Sequence, residues 1–283
     1  MSVFIKSKGI KILIDPGVCL APYRFGYPPH PIELERMSRH WSSIVKHAKK
    51  SEVLIVTHYH YDHYNPSEDL EIYKGKTVLI KHPTENINRS QKIRANTFLE
   101  KIQDLSKKLE YSDGREFEFR KTKIVFSKAV YHGTSPKLGY VTEVLVDDGE
   151  FRFIHTSDVQ GPSLREQVDF ILQKKPNLVL IDGPMTYMLG FRYSYASLNA
   201  SIENLIKILD ACPLDAMILE HHFLRELKWK ERIPMVFKEA EKRRIPLETA
   251  ADYLKKPIEL LEAKRTELYR KYPAEKKPFP LGE

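Results

Sequence analysis

The stretch that decides the fold reads Val53-Leu54-Ile55-Val56-Thr57-His58-Tyr59-His60-Tyr61-Asp62-His63. Its first four residues form an apolar run rich in β-branched side chains, which predicts a buried strand. Three imidazoles and a carboxylate then follow within six residues. Such groups repel one another and lose hydration when they cluster at the end of a buried strand, and a bound divalent ion offsets both costs. The stretch therefore predicts a metal site.

The types of ligand indicate which metal the site binds, and the cysteine content indicates the redox state of the compartment. Nitrogen and oxygen ligands without a thiolate favour zinc, with iron and manganese as competitors. The two cysteines, Cys19 and Cys212, lie outside the ligand motifs and are too few for a disulfide framework, so a reducing cytoplasm is expected. Strand-like sequence begins at Val3, and no apolar run approaches the roughly 18 residues of a membrane-spanning helix. We therefore expect neither a signal peptide nor a membrane partner.

Composition sets further limits. The chain has 283 residues, and its apolar content of 42% is that of a globular protein. The formal net charge is +8, which raises the possibility of an anionic substrate. In the C-terminal part the charges of both signs interleave, as they do on solvated helices.

Other segments must also contribute ligands, because one short loop cannot surround two ions about 3.5 to 4 Å apart. Three further β-like runs, residues 123–126, 151–154 and 216–219, are each followed by a histidine or an aspartate. The ends of such strands can converge on one edge of a sheet. The candidates that follow these runs are His132, Asp158 and the adjacent pair His221 and His222.

The motif His58-x-His60-x-Asp62-His63 after a strand resembles the signature of the metallo-β-lactamase superfamily of binuclear metal hydrolases. The similarity extends over nearly the whole chain. It continues in the expected order through Ile12-Leu13-Ile14-Asp15-Pro16-Gly17, Val130-Tyr131-His132-Gly133, His155-Thr156-Ser157-Asp158 and Leu219-Glu220-His221-His222. Within the superfamily, the chain most closely resembles an archaeal group of this fold.

The resemblance implies a role for each of these residues. The first ion would be bound by His58, His60 and His132. The second would be bound by Asp62, His63 and His221, with Asp158 bridging the two. Asp15 would support the histidine loop from behind.

His221 and His222 are both candidates for the last ligand of the second ion. Adjacent strand-end residues point in opposite directions, so one of the two faces the metals. The resemblance to superfamily nucleases favours His221, which directly follows Glu220. His222 is then a candidate catalytic general acid or a group that supports the ligands, with simple packing beneath the site as the equal alternative.

The fold implied is α/β, an αββα four-layer sandwich of two mixed sheets with helices outside and metals where strand ends meet. We expect a single domain over residues 1–283, with a helical C-terminal extension at about 235–283. Amphipathic helices are predicted within residues 29–50 and 84–109. The aromatic-rich residues 183–195 either line a substrate cleft or simply pack.

The predicted function is hydrolysis. Two divalent ions would make hydroxide available from a bridging water, Asp62 would orient this nucleophile, and His222 or Tyr140 would help the leaving group depart. A phosphoester, in a small molecule or a nucleic acid, is the favoured substrate. Esters, thioesters and lactones are the alternative. An iron-dependent oxidoreductase is less favoured, because the superfamily's di-iron reductases carry glutamate where this chain has His60.

Overall fold

Two β-sheets lie face to face in the computed structural model, which describes residues 1–279. The first sheet has the order β1-β2-β3-β4-β5. Its strands are β1 (Val3–Ser7), β2 (Ile10–Ile14), β3 (Val53–Val56), β4 (Thr77–Ile80) and β5 (Lys108–Tyr111). The first pair is antiparallel and the others are parallel. The continuous apolar sequence of β3 is fully buried, as a central strand covered on both faces requires.

The second sheet has seven strands in the order β14-β13-β12-β11-β10-β7-β6. They are β6 (Glu116–Phe119), β7 (Thr122–Phe126), β10 (Val144–Asp147), β11 (Arg152–His155), β12 (Leu178–Asp182), β13 (Ala216–Glu220) and β14 (Leu247–Glu248). Strands β11 to β14 run parallel. A separate antiparallel pair consists of β8 (Val130–Tyr131) and β9 (Tyr140–Val141).

Helices cover the outer faces of both sheets. They are α1 (Pro31–Lys50), α2 (Arg89–Ile102), α3 (Glu166–Lys174), α4 (Tyr195–Ala211), α5 (Trp229–Arg232), α6 (Pro234–Arg243), α7 (Ala250–Tyr253) and α8 (Arg265–Lys271). A capping box between His30 and Glu33 begins α1, with Pro31 in its first turn. None of the described helices is both long and apolar enough to span a membrane.

Three hydrophobic clusters show the four layers. The central cluster joins the two sheets, with Ile12 and Ile55 from the first and Ile124 and Leu180 from the second. A second cluster packs α1 and α2 on the outer face of the first sheet. A third packs α3, α4 and α6 on the outer face of the second sheet. The αββα sandwich predicted from the sequence is thus confirmed.

Two boundaries differ from the sequence predictions. The helix predicted within residues 84–109 begins at Arg89, because the Asn88 side chain caps it, and ends at Ile102. Leu109 belongs to β5, where it pairs with Val78. The C-terminal part contains α6, α7 and α8 and also the short strand β14, which was not predicted because it is only two residues long.

Candidate metal centre

The predicted ligands lie at one edge of the sandwich, where several strands end. The histidine loop follows β3, His132 follows β8, Asp158 follows β11, and His221 directly follows β13. Because the carboxyl ends of parallel strands meet at the same edge of a sheet, segments distant in sequence deliver their side chains to one place. The structure brings all seven predicted ligand side chains together in two adjacent groups.

The first group contains His58, His60, His132 and Asp158. The Nδ1 atom of His60 lies 3.1 Å from Nε2 of His58 and 3.1 Å from Nε2 of His132. An oxygen of Asp158 lies 3.3 Å from Nε2 of His132 and 3.8 Å from Nε2 of His58. Four ligands around a tetrahedral zinc ion lie roughly 3.3 to 3.6 Å apart, so the group has the spacing of a metal site.

The second group contains Asp62, His63, Asp158 and His221. Nε2 of His221 lies 3.3 Å from Oδ2 of both Asp62 and Asp158. Nε2 of His63 lies 2.9 Å from Oδ1 of Asp158 and 3.9 Å from Oδ2 of Asp62. Asp158 is shared by the two groups, which is the position that a bridging carboxylate takes between paired ions.

The chemistry of these atoms fits metal binding. Within residues 1–279, the buried atoms Nε2 of His63, Nε2 of His221 and Oδ1 of Asp158 have no geometrically sound hydrogen-bond partner. A buried polar atom left unpaired is costly, and a cation at the centre of each group would satisfy these atoms. Neutral imidazole nitrogens and carboxylate oxygens suit zinc, iron and manganese alike.

Buried hydrogen bonds hold the histidine loop from behind. The carboxylate of Asp15 accepts hydrogen bonds from the backbone N–H and the hydroxyl of Thr57, both at 2.8 Å. It also accepts one from Nδ1 of His63 at 2.7 Å, which leaves Nε2 of that ring facing the second group. Nδ1 of His58 lies 3.2 Å from the hydroxyl of Ser157. Such contacts orient imidazole ligands and set their tautomers.

The backbone around the site adopts left-handed conformations that are uncommon for residues other than glycine. The φ angles are 52° at Asp15, 58° at Ser157 and 61° at His221. Backbone strain of this kind is retained only where contacts with the surrounding structure hold the residue in place, and it is most frequent at functional sites. In His221 the conformation turns the chain sharply at the end of β13, so that its side chain enters the second group.

The charges of the site favour bound cations. Burial and the neighbouring histidines lower the pKa of His58 well below its usual value, and burial together with His132 lowers that of His60 to about 3. Burial also opposes the charged form of His63, but the carboxylates of Asp158, Asp15 and Asp62 outweigh it and raise its pKa to about 10. In the second group, therefore, the carboxylates stabilise a positive charge at the position where a metal ion would sit.

His222 occupies a different environment from His221. Its Nδ1 lies 2.9 Å from Oδ2 of Asp182, and its Nε2 lies 3.5 Å from the side-chain amide of Gln160. Burial lowers the pKa of His222 to about 4, even though Asp182 opposes this shift. The ring is therefore neutral near pH 7, with its proton on Nδ1. The general-acid role of His222 stays a prediction, and it would require a proton on Nε2, which carries a lone pair in this state.

Asp182 is a residue that sequence reasoning missed. It ends β12, directly opposite Glu220 of β13. Its carboxylate accepts hydrogen bonds from the backbone N–H groups of Gln160 and His222, at 2.7 and 3.0 Å. It therefore ties the Asp158 loop to the turn that carries both histidines. The sequence feature that could have identified Asp182 as a site residue is its position as an acidic residue at the end of a continuous apolar strand.

The leaving-group role suggested for Tyr140 stays a prediction. This residue lies in β9, and its ring packs against Tyr131 of β8 with the centroids 5.1 Å apart.

A surface cleft of about 420 Å³ lies beside the loop that carries His132. It is lined by residues 190–195 together with Ser197 and Thr134. Phe191 and Tyr195 expose 79% and 67% of their surface, which is unusual for large aromatic side chains. Thr134 is two residues beyond His132, so the cleft begins within about 7 Å of chain from a candidate ligand. The second half of the predicted segment 183–195 thus lies at a cleft.

The fold and the site together define a metallo-β-lactamase-fold protein with a candidate binuclear metal centre. The structure of a possible metal-dependent hydrolase from Veillonella parvula matches 88% of this chain and 92% of its own, with a TM-score of 0.53 and 13% identity. An isothiocyanate hydrolase from Delia radicum gut bacteria matches 86% and 90%, with a TM-score of 0.51 and 14% identity. At these identities the similarity shows the fold alone.

Sequence comparison identifies the family. The UPF0282 protein of Korarchaeum cryptofilum is 53% identical over 275 residues, which cover 97% of this chain and 91% of that protein. The chain belongs to the UPF0282 family. No protein-family model matches it.

Proposed function

We propose that the protein is a binuclear metal-dependent hydrolase that cleaves a phosphoester. The observation that carries the proposal is the pair of adjacent His/Asp groups that share Asp158. In the proposed centre, His58, His60 and His132 hold one ion, Asp62, His63 and His221 hold the other, and Asp158 bridges them. Zinc is the favoured metal, with iron and manganese as competitors.

A bound pair of divalent ions would supply hydroxide near neutral pH and polarise the substrate oxygen. The protein's own residues position these partners. Asp15 and Ser157 orient the histidine rings, and Asp182 fixes the turn that carries His221. Asp62 is the most exposed of the second group's side chains, at 21%, so its carboxylate can accept a hydrogen bond from the attacking water.

Three features favour a phosphoester over other substrates. The net charge of +8 attracts anions. The ligand set contains only histidine and aspartate, as in the superfamily nucleases that the last sequence motif resembles. The open cleft with Phe191 and Tyr195, next to the loop that carries His132, offers aromatic faces on which a base or another flat group can stack. The two solved neighbours named as hydrolases support hydrolysis as the reaction class.

The test is a panel of phosphodiester, phosphomonoester, thioester and lactone substrates, assayed with and without a chelator and after metal analysis of the purified protein. We expect phosphoester hydrolysis that the chelator abolishes and that added zinc, iron or manganese restores. Activity on thioesters or lactones alone would favour the alternative substrate class. Activity on none of the panel would contradict the proposal.

Asp62 provides a sharper test of the mechanism. We expect Asp62→Asn to lower kcat by about a hundredfold or more, while KM changes little, because the carboxylate acts on the nucleophile. The measurement is steady-state kinetics at saturating metal, with the bound metal counted in each variant. Asp169→Asn is the matched control, since Asp169 is a surface partner of Arg165. Wild-type turnover in Asp62→Asn would contradict this role.

A further inference from the structure

Two arginines from distant parts of the chain meet beside the candidate metal centre. Arg225 ends the helical turn His221–Arg225, whose first residue is the predicted ligand His221. Arg24 lies in a tight turn, where its backbone exchanges hydrogen bonds with Tyr27 at 2.9 Å. One Nη atom of Arg24 donates to the carbonyl oxygen of Arg225 at 2.7 Å. The two guanidinium groups are thus linked directly to the segment that carries the site.

The carboxylate of Glu262 forms ion pairs with both arginines. Oε1 of Glu262 lies 3.2 Å from Nη1 of Arg24 and 3.4 Å from Nε of Arg225. The side chains of Arg24, Arg225 and Glu262 are only 9%, 19% and 15% exposed. Two guanidinium groups that share one carboxylate leave one positive charge in a place with little solvent to screen it.

The pair also keeps unused donor capacity. Within the described residues, Nε of Arg24 is buried and has no hydrogen-bond partner. Because an unpaired buried donor is costly, and more so on a charged group, this N–H favours an acceptor brought by a ligand. The guanidinium fork matches phosphate oxygens in geometry and in charge.

Tyr187 connects the arginine pair to the centre. The guanidinium of Arg24 lies over its ring, 4.6 Å from the centroid, and Nη1 of Arg225 lies 3.4 Å from its hydroxyl. The Tyr187 ring is also parallel to that of His222, with the centroids 6.5 Å apart. Asp62 is the carboxylate of the centre that also interacts with Arg225, and in the proposed centre it is committed to a metal ion.

The surrounding structure holds the pair in place before any ligand arrives. Arg265 is fully buried and donates to the carbonyl oxygens of Ala21 and Tyr27, at 2.9 and 3.2 Å, which clamps the loop that carries Arg24. Glu262 lies three residues before Arg265, in the turn that leads into α8. Because these side chains are already held in place, they lose little conformational entropy when a ligand binds to them.

We infer that Arg24 and Arg225 form a subsite for a second phosphate group of the substrate, next to the phosphoester held at the metal centre. The inference rests on the proposed function for the identity of the reaction. The substrate class it names is a phosphoester that carries a further, terminal phosphate, such as an oligonucleotide with a phosphorylated end. The two arginines bind and position this group and take no part in the chemical step.

The first arm of the test does not depend on catalysis. Pyrophosphate and inorganic phosphate are titrated calorimetrically into the metal-loaded full chain, with the metal content and the melting temperature of each variant checked. We expect Arg225→Gln to weaken binding about tenfold or more, Arg24→Gln to do the same, and Arg225→Lys to retain part of the affinity. Arg232→Gln is the matched control, because Arg232 is the nearby surface partner of Glu226, and it should bind as wild type does.

Equal pyrophosphate affinity in wild type and Arg225→Gln at matched metal content would overturn the subsite. The second arm compares KM for one short oligonucleotide with a terminal phosphate or a terminal hydroxyl. We expect the phosphate to lower KM about tenfold in wild type and hardly at all in Arg225→Gln, with kcat similar for both substrates. An unchanged ratio would contradict the inference. If no phosphoester is cleaved, the proposed function fails, while the binding arm still decides the subsite.

Discussion

His221 and His222 are adjacent in sequence, yet different carboxylates lie nearest to their rings. Nε2 of His221 lies 3.3 Å from the carboxylates of Asp62 and Asp158, whereas Nδ1 of His222 is held by Asp182. In the proposed centre, we expect His221→Ala to retain about one of two ions and His222→Ala to retain both. The measurement is the metal-to-protein ratio by mass spectrometry after dialysis.

A third variant, measured in the same way, tests the role of Asp182. Since Asp182 positions His222 and the Asp158 loop, Asp182→Asn should weaken metal binding without removing an ion at saturating metal. Retention of two ions by both histidine variants would contradict the assignment of His221. Loss of an ion in His222→Ala alone would exchange the two roles.

Glu143 is a buried carboxyl group outside the metal centre. It is fully buried between β9 and β10, and neither side-chain oxygen has a hydrogen-bond partner within residues 1–279. Burial raises the pKa of its carboxyl well above the usual 4.5. The folded protein therefore holds this proton to higher pH than the unfolded chain does, and the group costs stability as pH rises above about 4.5 toward the folded-state pKa.

We expect Glu143→Gln, which cannot ionise, to gain stability over wild type as pH rises. The gain should be small at pH 5 and should grow by up to about 1.4 kcal/mol per pH unit until the folded-state pKa is reached. Urea unfolding at pH 5, 6 and 7 measures it, and Glu118→Gln on an exposed strand face is the control. A gain that stays constant with pH, or a loss that grows, would show that Glu143 is not protonated in the folded protein.

Among the elements, the turn after β2 shows how a local motif supports a distant loop. A Cβ atom on Gly17 would lie 2.2 Å from the backbone N of Tyr64 and 2.5 Å from the backbone C of His63. Only glycine permits this approach, and Asp15 two residues earlier binds His63 directly. The turn and the histidine loop are therefore packed as one unit.

We expect Gly17→Ala to push the histidine loop away, at a cost of about 1 to 3 kcal/mol in unfolding free energy, and to lower metal affinity. Denaturant unfolding and competition with a chromophoric chelator measure the two effects. Gly75→Ala is the control. Its Cβ would meet nothing within 4 Å, although its φ of +70° strains alanine, so it should lose stability but keep metal affinity. Equal metal affinity in Gly17→Ala and wild type would contradict the expectation.

For the whole molecule, a buried ion pair joins the C-terminal part to the N-terminal half. Nε of Arg265 in α8 lies 2.9 Å from Oε2 of Glu33 in α1, and both side chains are fully buried. Arg265 also holds the loop of Arg24. Removing one partner of a buried pair leaves the other charge buried and unpaired. The resulting loss of stability is larger than the stability that the pair itself contributes.

We expect Arg265→Met to lower the unfolding free energy by about 3 to 5 kcal/mol and to loosen residues 19–30 beside the site. Adding Glu33→Gln should recover part of the loss, because no unpaired charge then remains. Denaturant unfolding gives the free energies, and hydrogen exchange reports on the loop. A loss below about 1 kcal/mol in the single variant would show that the pair does not hold the C-terminal part.

The convergence of the seven candidate ligand side chains could be predicted from the sequence because each follows a strand, and strands are readable from local apolar runs. The four layers could be predicted for the same reason, together with the family resemblance. The end of α2 and the existence of β14 could not, since a two-residue strand leaves no periodic signal and Leu109 suits a helix as well as a strand.

The sequence by itself determined which residue types stand at the strand ends and in what order, because strand polarity and hydrophobic periodicity are local properties of the chain. Only the tertiary structure decided which ring atom each histidine presents, that Asp182 holds His222, and that Arg24, Arg225 and Glu262 meet. Those contacts join residues up to 238 positions apart. The contacts among Arg24, Arg225 and Glu262 depend on how the C-terminal part packs over the loop before α1, and no short-range sequence pattern specifies that packing.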